Sequence, residues 1–124
     1  MLDANSLTYA ALSTPEGEVS STVTGSAVDI RGFIGNIKVT QDVGTATGTS
    51  ETLDGKIQDS ADGSTGWADV TGATFTQVTD SDDVQSISVE TRATKRYIRY
   101  VGTIAGSTPT FDLGVSLVGY TDTV

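Results

Sequence analysis

From Phe111 onward the chain alternates, with Phe111, Leu113, Val115 and Leu117 on one side and Asp112, Gly114, Ser116 and Val118 on the other. A period of two predicts a strand with one buried face. Upstream, Arg96, Ile98, Tyr100 and Gly102 alternate with Tyr97, Arg99, Val101 and Thr103, so apolar stems fall on both faces. Gly106, Ser107 and Pro109, between the two runs, are turn residues, and Pro109 suits only the start or edge of a strand. Residues 95–120 therefore predict a long antiparallel hairpin, the spine of an all-β domain.

Shorter runs recur at regular intervals before it. Residues 27–30 predict a short strand closed by Arg31 and Gly32. Residues 33–41 predict another, where Ile34 and Lys38 are offset from Phe33, Ile37 and Val39, and Gly35-Asn36 marks a bulge. Residues 43–50 are rich in Gly and Thr with little to bury, which predicts a loop. Leu53, Gly55 and Ile57 share a face of the next strand. The turn at 62–66 leads to Trp67, expected to pack its indole across the end of the domain, and residues 73–78 carry Phe75. After the acidic turn at 80–83, Ser86 and Ser88 alternate with Ile87 and Val89. The expected fold is a single β-sandwich, jelly-roll-like, of about eight antiparallel strands. It spans residues 26–124. Residues 1–25, aperiodic and broken by Pro15 and Gly17, predict an extended N-terminal arm.

Composition sharpens this picture at three points. The 124 residues suffice for one core, and 36% hydrophobic content makes that core thin. With no histidine and no cysteine, the chain cannot build His- or Cys-based catalytic triads, disulfides or the usual zinc sites. Sixteen acids against seven bases give a net charge of −9, which disfavours nucleic acid and anionic membranes as partners. No apolar run is long enough to cross a bilayer, and Met1-Leu2-Asp3 lacks the basic start of a signal peptide, so a cytoplasmic product is expected.

The chemistry left is sparse. Asp59, Asp62, Asp80, Asp82 and Asp83 lie in or beside turns, where solvation works against the raised pKa that acid catalysis needs. Counted from Asp59 or Asp80, the twelfth position is Val70 or Thr91 rather than the glutamate of a calcium loop. No enzyme activity, metal or cofactor is expected. Four of the seven bases, Arg92, Lys95, Arg96 and Arg99, fall within eight positions. In so acidic a chain they read as a surface that pairs with carboxylates of this chain or of a partner.

Residues 27–32 (AVDIRG), 53–64 (LDGKIQDSADGS), 73–78 (ATFTQV) and 95–101 (KRYIRYV), in that order, resemble a family of small tailed-phage structural proteins taken to be capsid decoration, or cement, proteins. The likeness covers nearly everything after about residue 20. Gly55 stands where that family more often carries a branched apolar residue, so a locally thinner core is expected. The resemblance implies a virion protein made in the host bacterial cytoplasm. It would bind the outer surface of the major capsid protein shell and stabilise the head, as a homotrimer or trimer-like cluster. The candidate contacts are Leu2, Leu7, Tyr9 and Leu12 of the arm and Arg92, Lys95, Arg96 and Arg99 of the basic cluster. The alternative is a carbohydrate-binding or adhesin-like module of a tail fibre, which would need aromatics spared from the core. One Trp, four Tyr and three Phe leave few.

Overall fold

Phe111, Leu113, Val115 and Leu117 are indeed buried, between 0 and 5% exposed, while Asp112 faces solvent. The strand they occupy is much longer than the alternation suggests. The structure, a computed structural model, describes residues 7–11 and 17–121. Its strands are β1 (Leu7–Ala11), β2 (Gly17–Val19), β3 (Val23–Thr24), β4 (Val28–Asp29), β5 (Phe33–Ser60), β6 (Ala68–Thr74), β7 (Asp83–Glu90) and β8 (Tyr97–Thr121). All eight belong to one continuous sheet in which every pairing is antiparallel. The protein is all-β.

The sheet is organised by β5 and β8, paired from Phe33 opposite Thr121 to Ser60 opposite Tyr97. A straight strand of that length would measure about 90 Å. It is not straight. The Tyr100 hydroxyl donates to Gln41 Oε1 at 2.6 Å, yet Tyr100 is paired with Ile57, far along β5 from Gln41. The two-stranded ribbon is therefore folded back on itself. Its crease lies where β5 loses register between Val43 and Thr52. Positive φ angles mark both strands there, at Gly48 (130°) and Ser50 (54°) in β5 and at Gly106 (123°) and Thr108 (47°) in β8.

Folding the ribbon produces two layers. Residues 33–47 of β5 and 110–121 of β8 form one, with β1 and β2 on the β8 edge and β7 on the β5 edge. Residues 52–60 and 97–105 form the other, flanked by β3 and β4 on one side and β6 on the other. Ile37, Val39, Val43, Phe111 and Leu117 of the first layer join Leu53, Ile57, Ile98, Tyr100 and Phe75 of the second in a single core. Burying side chains of this size contributes about 1.5–3 kcal/mol each relative to exposure.

Several expectations change. The segment 95–120 is not a hairpin: its two halves are one strand, each pairing with β5 instead of with the other. Gly106, Ser107 and Pro109 make the crease, not a chain reversal. Residues 43–50 are not a free loop but the matching crease of β5, pinned by Asp82 N–H to Gly44 O (2.7 Å) and Ala46 N–H to Ser81 Oγ (2.8 Å). The return strand begins at Ala68, and Phe75 and Val78 follow its end, bonded through their backbones to Gly55 and Leu53. The bulge expected at Gly35-Asn36 is present, as a register shift between Ile34 and Lys38. In the N-terminal segment β1, β2 and β3 each run antiparallel to β8, and Val23 enters the core. The boundary expected at residue 25 falls between β3 and β4, neighbours on the same stretch of β8.

The core at Gly55 is not thin. The Gln41 amide and the Tyr100 ring fill the place of the missing side chain, so a Cβ there would lie 2.7 Å from Tyr100 Oη and 2.9 Å from Cε1. Phe75 packs edge-on against Tyr100, ring centroids 6.1 Å apart. Gln41 is wholly buried and its Nε2 has no hydrogen-bond partner. Burial pushes the Tyr100 phenol well above its ordinary pKa.

Candidate functional site

The acidic turn after β5 is the first place where the sequence raised a ligand. Asp62 Oδ1 accepts from the backbone N–H groups of Ser64 (2.9 Å) and Thr65 (2.8 Å), and Oδ2 accepts from Thr65 Oγ1 (2.8 Å). Buried Ser60 donates its hydroxyl to Thr65 O at 2.5 Å and accepts from Gly63 N–H at 3.1 Å. Asp62 thus serves the turn, as Asp does in tight turns generally. The Thr65 and Ser64 N–H groups hold its carboxyl far below the usual carboxylate range. Asp59 is buried and accepts the Lys95 N–H at 3.0 Å, tying β5 to the start of β8. Among the described residues no three acidic groups converge as a metal cage would require.

The Asp62 turn carries a pH prediction. Hydrogen bonds also lower the Asp29 pKa (first Arg96, then the Arg31 N–H) and the Asp69 pKa (first Gln58, then Lys56). A carboxyl depressed in the folded state gives stability that is complete above its unfolded pKa and lost as pH falls through the folded one. With no histidine to titrate, the melting temperature should be nearly flat from about pH 8 to 5 and fall below about pH 4. Asp62→Asn should melt lower at pH 7 and lose less on acidification. An acid slope as steep as the parent's would contradict this assignment.

The basic residues do not stay together. Arg99 lies on the outer face of the second layer, its Nη2 and Nε donating to Gln58 Oε1 at 2.8 and 3.0 Å. Gln58 in turn donates to Asp69 (2.9 Å), which pairs with Lys56 at 3.1 Å. The Arg99 guanidinium sits 4.2 Å from the Trp67 ring centroid. Trp67 is therefore not a core residue: it is half-buried beneath Arg99, outside the apolar cluster. A face covered by a guanidinium is a poor sugar platform.

The other three bases of the cluster lie at the Phe33 end of the ribbon, where Arg31 joins them. Arg31, Arg92, Lys95 and Arg96 surround an open depression of about 250 Å³ that is also lined by the buried Ile30 and the half-buried Phe33. Both walls are fixed by local bonds. On one, Asp29 Oδ1 accepts the Arg31 N–H (3.0 Å) and Ile30 O accepts the Phe33 N–H (3.0 Å). On the other, a single 3-10 turn (Thr91–Ala93) presents Arg92, anchored by Thr91 Oγ1 to Gly35 O (2.8 Å). Arg96 closes the rim through a two-pronged bond to Asp29, Nη2 to Oδ2 at 2.8 Å, which raises the Arg96 pKa and lowers that of Asp29. Arg31, Arg92 and Lys95 are exposed and form no ion pair among the described residues. The far end of the same layer is acidic, where Asp42 and Asp112 flank a second depression of about 320 Å³.

Of the apolar contacts expected in the arm, Leu7 and Tyr9 lie in β1, opposite Tyr120 and Val118 of β8. Leu2 and Leu12 lie outside the described residues. Tyr120 is 44% exposed and Val84, on the β7 edge, 66%. Among the described residues no helix is long and apolar enough to cross a membrane. Arg31 was missed by sequence reasoning because 61 positions separate it from Arg92, and no local spacing links the two. Compared with known proteins, the chain matches no family model, and no curated protein is similar to it.

Proposed function

We propose that this chain is a capsid decoration protein of a tailed phage. It coats the outer surface of the major capsid protein shell as a trimer or trimer-like cluster and has no catalytic role. The observation that carries the reading is the edge formed by β1 and β8. Short extended segments of the N-terminal region lie along β8 there, and Tyr120, opposite Leu7, leaves an apolar ring in solvent. Such an edge is adhesive, and modest contacts repeated over a shell add up through multivalency. The four ordered sequence segments that resemble cement proteins support the same reading, and so does an acidic surface unsuited to nucleic acid. In this scheme Leu2, Leu7, Tyr9 and Leu12 contribute the grip.

The test is cosedimentation with empty heads lacking the protein. Deleting residues 1–25 is a poor probe, since it also strips β1, β2 and β3 from β8. Tyr120→Arg is better. The parent should saturate the heads, and Tyr120→Arg should lower occupancy at least about fivefold, the loss of about 1 kcal/mol of apolar contact. Failure of the parent to cosediment at micromolar concentration would overturn the function. Full occupancy by the variant would overturn the assigned edge.

A further inference from the structure

We infer that the depression ringed by Arg31, Arg92, Lys95 and Arg96 is a docking site for a short acidic segment of a partner protein, one that presents carboxylates around an apolar side chain. The inference does not depend on that partner being a capsid shell. Four of the chain's seven cations gather here, although sixteen acids are available to pair with them. Among the described residues only Arg96 is paired, with Asp29, which leaves Arg31, Arg92 and Lys95 as donors without an ion pair there. Each Arg offers a planar fork that matches a carboxylate in two bonds.

The site is built before any ligand arrives. Arg31 leaves a turn capped by Asp29, Arg92 sits on a 3-10 turn tied to Gly35, and the Lys95 backbone is bonded to Asp59. The backbone therefore needs no ordering on binding, and the exposed side chains alone remain to be fixed. Phe33 is half-buried, so it offers an apolar surface between the cations, over a floor formed by the buried Ile30. That combination favours a peptide over a bare anion.

The remainder of the chain decides against long polyanions. Among the described residues outside the depression and its Asp29 partner, three bases face twelve acids, a balance of 3 − 12 = −9. A nucleic acid reaching beyond one Debye length, about 8 Å at physiological salt, would meet that field. A segment of a few residues would not.

The probe is an acetylated, amidated heptapeptide with four glutamates around a central leucine, titrated into the full chain. Arginine side-chain resonances in NMR provide the readout. Saturable shifts are expected at Arg31 and Arg92, with affinity falling at least about fivefold between 50 and 300 mM NaCl. Arg92→Glu should weaken binding more than about tenfold, and Lys95→Glu likewise. Lys38→Glu makes the same charge change on the outer face of β5 and should stay within about twofold. Arg92 and Lys95 are exposed and form no ion pair among the described residues, so both variants should melt with the parent. Three results would each overturn the inference: equal binding of the peptide with glutamine for glutamate, tighter binding of inorganic phosphate at the same residues, or equal losses in Lys38→Glu and Arg92→Glu.

Discussion

Gly106→Ala is expected to destabilise the protein by about 3 kcal/mol or more, a large share of the roughly 5–15 kcal/mol available to a domain. Gly106 has φ 123°, in a region that side-chain-bearing residues rarely enter, and its Cβ would lie 2.8 Å from Glu51 Cα and 3.0 Å from Ser50 O. Those are backbone atoms of the opposing strand, at the point where the ribbon turns over. Gly48, on the other side of the crease, is similarly placed, with φ 130° and Pro109 Cα 2.9 Å from its would-be Cβ. Neither strand can relax without opening the angle between the layers. Gly32→Ala is the control, because nothing lies within 4 Å of its Cβ position. Urea denaturation of Gly106→Ala, Gly48→Ala and Gly32→Ala would check this. A Gly106→Ala midpoint close to that of Gly32→Ala would mean that the crease tolerates a side chain and does not set the fold.

The second large effect is a change of sign between single and double substitutions. Tyr100→Phe removes the donor to Gln41 Oε1 and leaves both ends of a buried amide unpaired, since Nε2 already lacks a partner. The expected cost is about 1–3 kcal/mol. Gln41→Leu strands the Tyr100 hydroxyl at a comparable cost. Replacing both partners by apolar groups removes the stranded atoms together, so Gln41→Leu/Tyr100→Phe should recover most of the loss or exceed the parent. Additive losses in this cycle would show that the two side chains act independently and that no coupling runs through their hydrogen bond. Gly55→Ala belongs to the same experiment: its Cβ would meet the rigid Tyr100 ring, and overpacking of this kind costs about 1–3 kcal/mol.

What the sequence disclosed was local, and what it concealed was pairing. The alternations at Phe111–Leu117 and Leu53–Ile57 gave the right buried faces because burial acts residue by residue along a pleated strand. The reading of residues 95–120 as a hairpin failed for a physical reason. Gly, Ser and Pro are used equally to reverse a chain and to bend one, and only the partner strand, here β5, distinguishes the two. The same limit applied to the candidate site. Alternation put Arg99 on an outer face with Gln58 and Trp67, while Arg96, just before the strand, turned to Asp29. Four neighbours in sequence became two separate surfaces. Gly55 looked like a gap because the Gln41 side chain that fills it comes from the other layer.

The long β5–β8 pairing also sets how the chain must find its fold. Its innermost pair, Ser60 with Tyr97, joins residues 37 positions apart (97 − 60), and its outermost, Phe33 with Thr121, joins residues 88 apart (121 − 33). No tight hairpin joins β5 to β8; the short connection at this end, Asp59 opposite Ala68, joins β5 to β6. Loop closure must come first at the Ser60–Tyr97 end and then zip outward through the crease, each step drawing in more chain before the next contacts form. Folding in milliseconds to seconds follows from that order. Until the ribbon closes, β5 lacks its β8 partner along its length and has only β6 and β7 to cover parts of it, and self-association at high concentration should compete with folding most strongly at that stage.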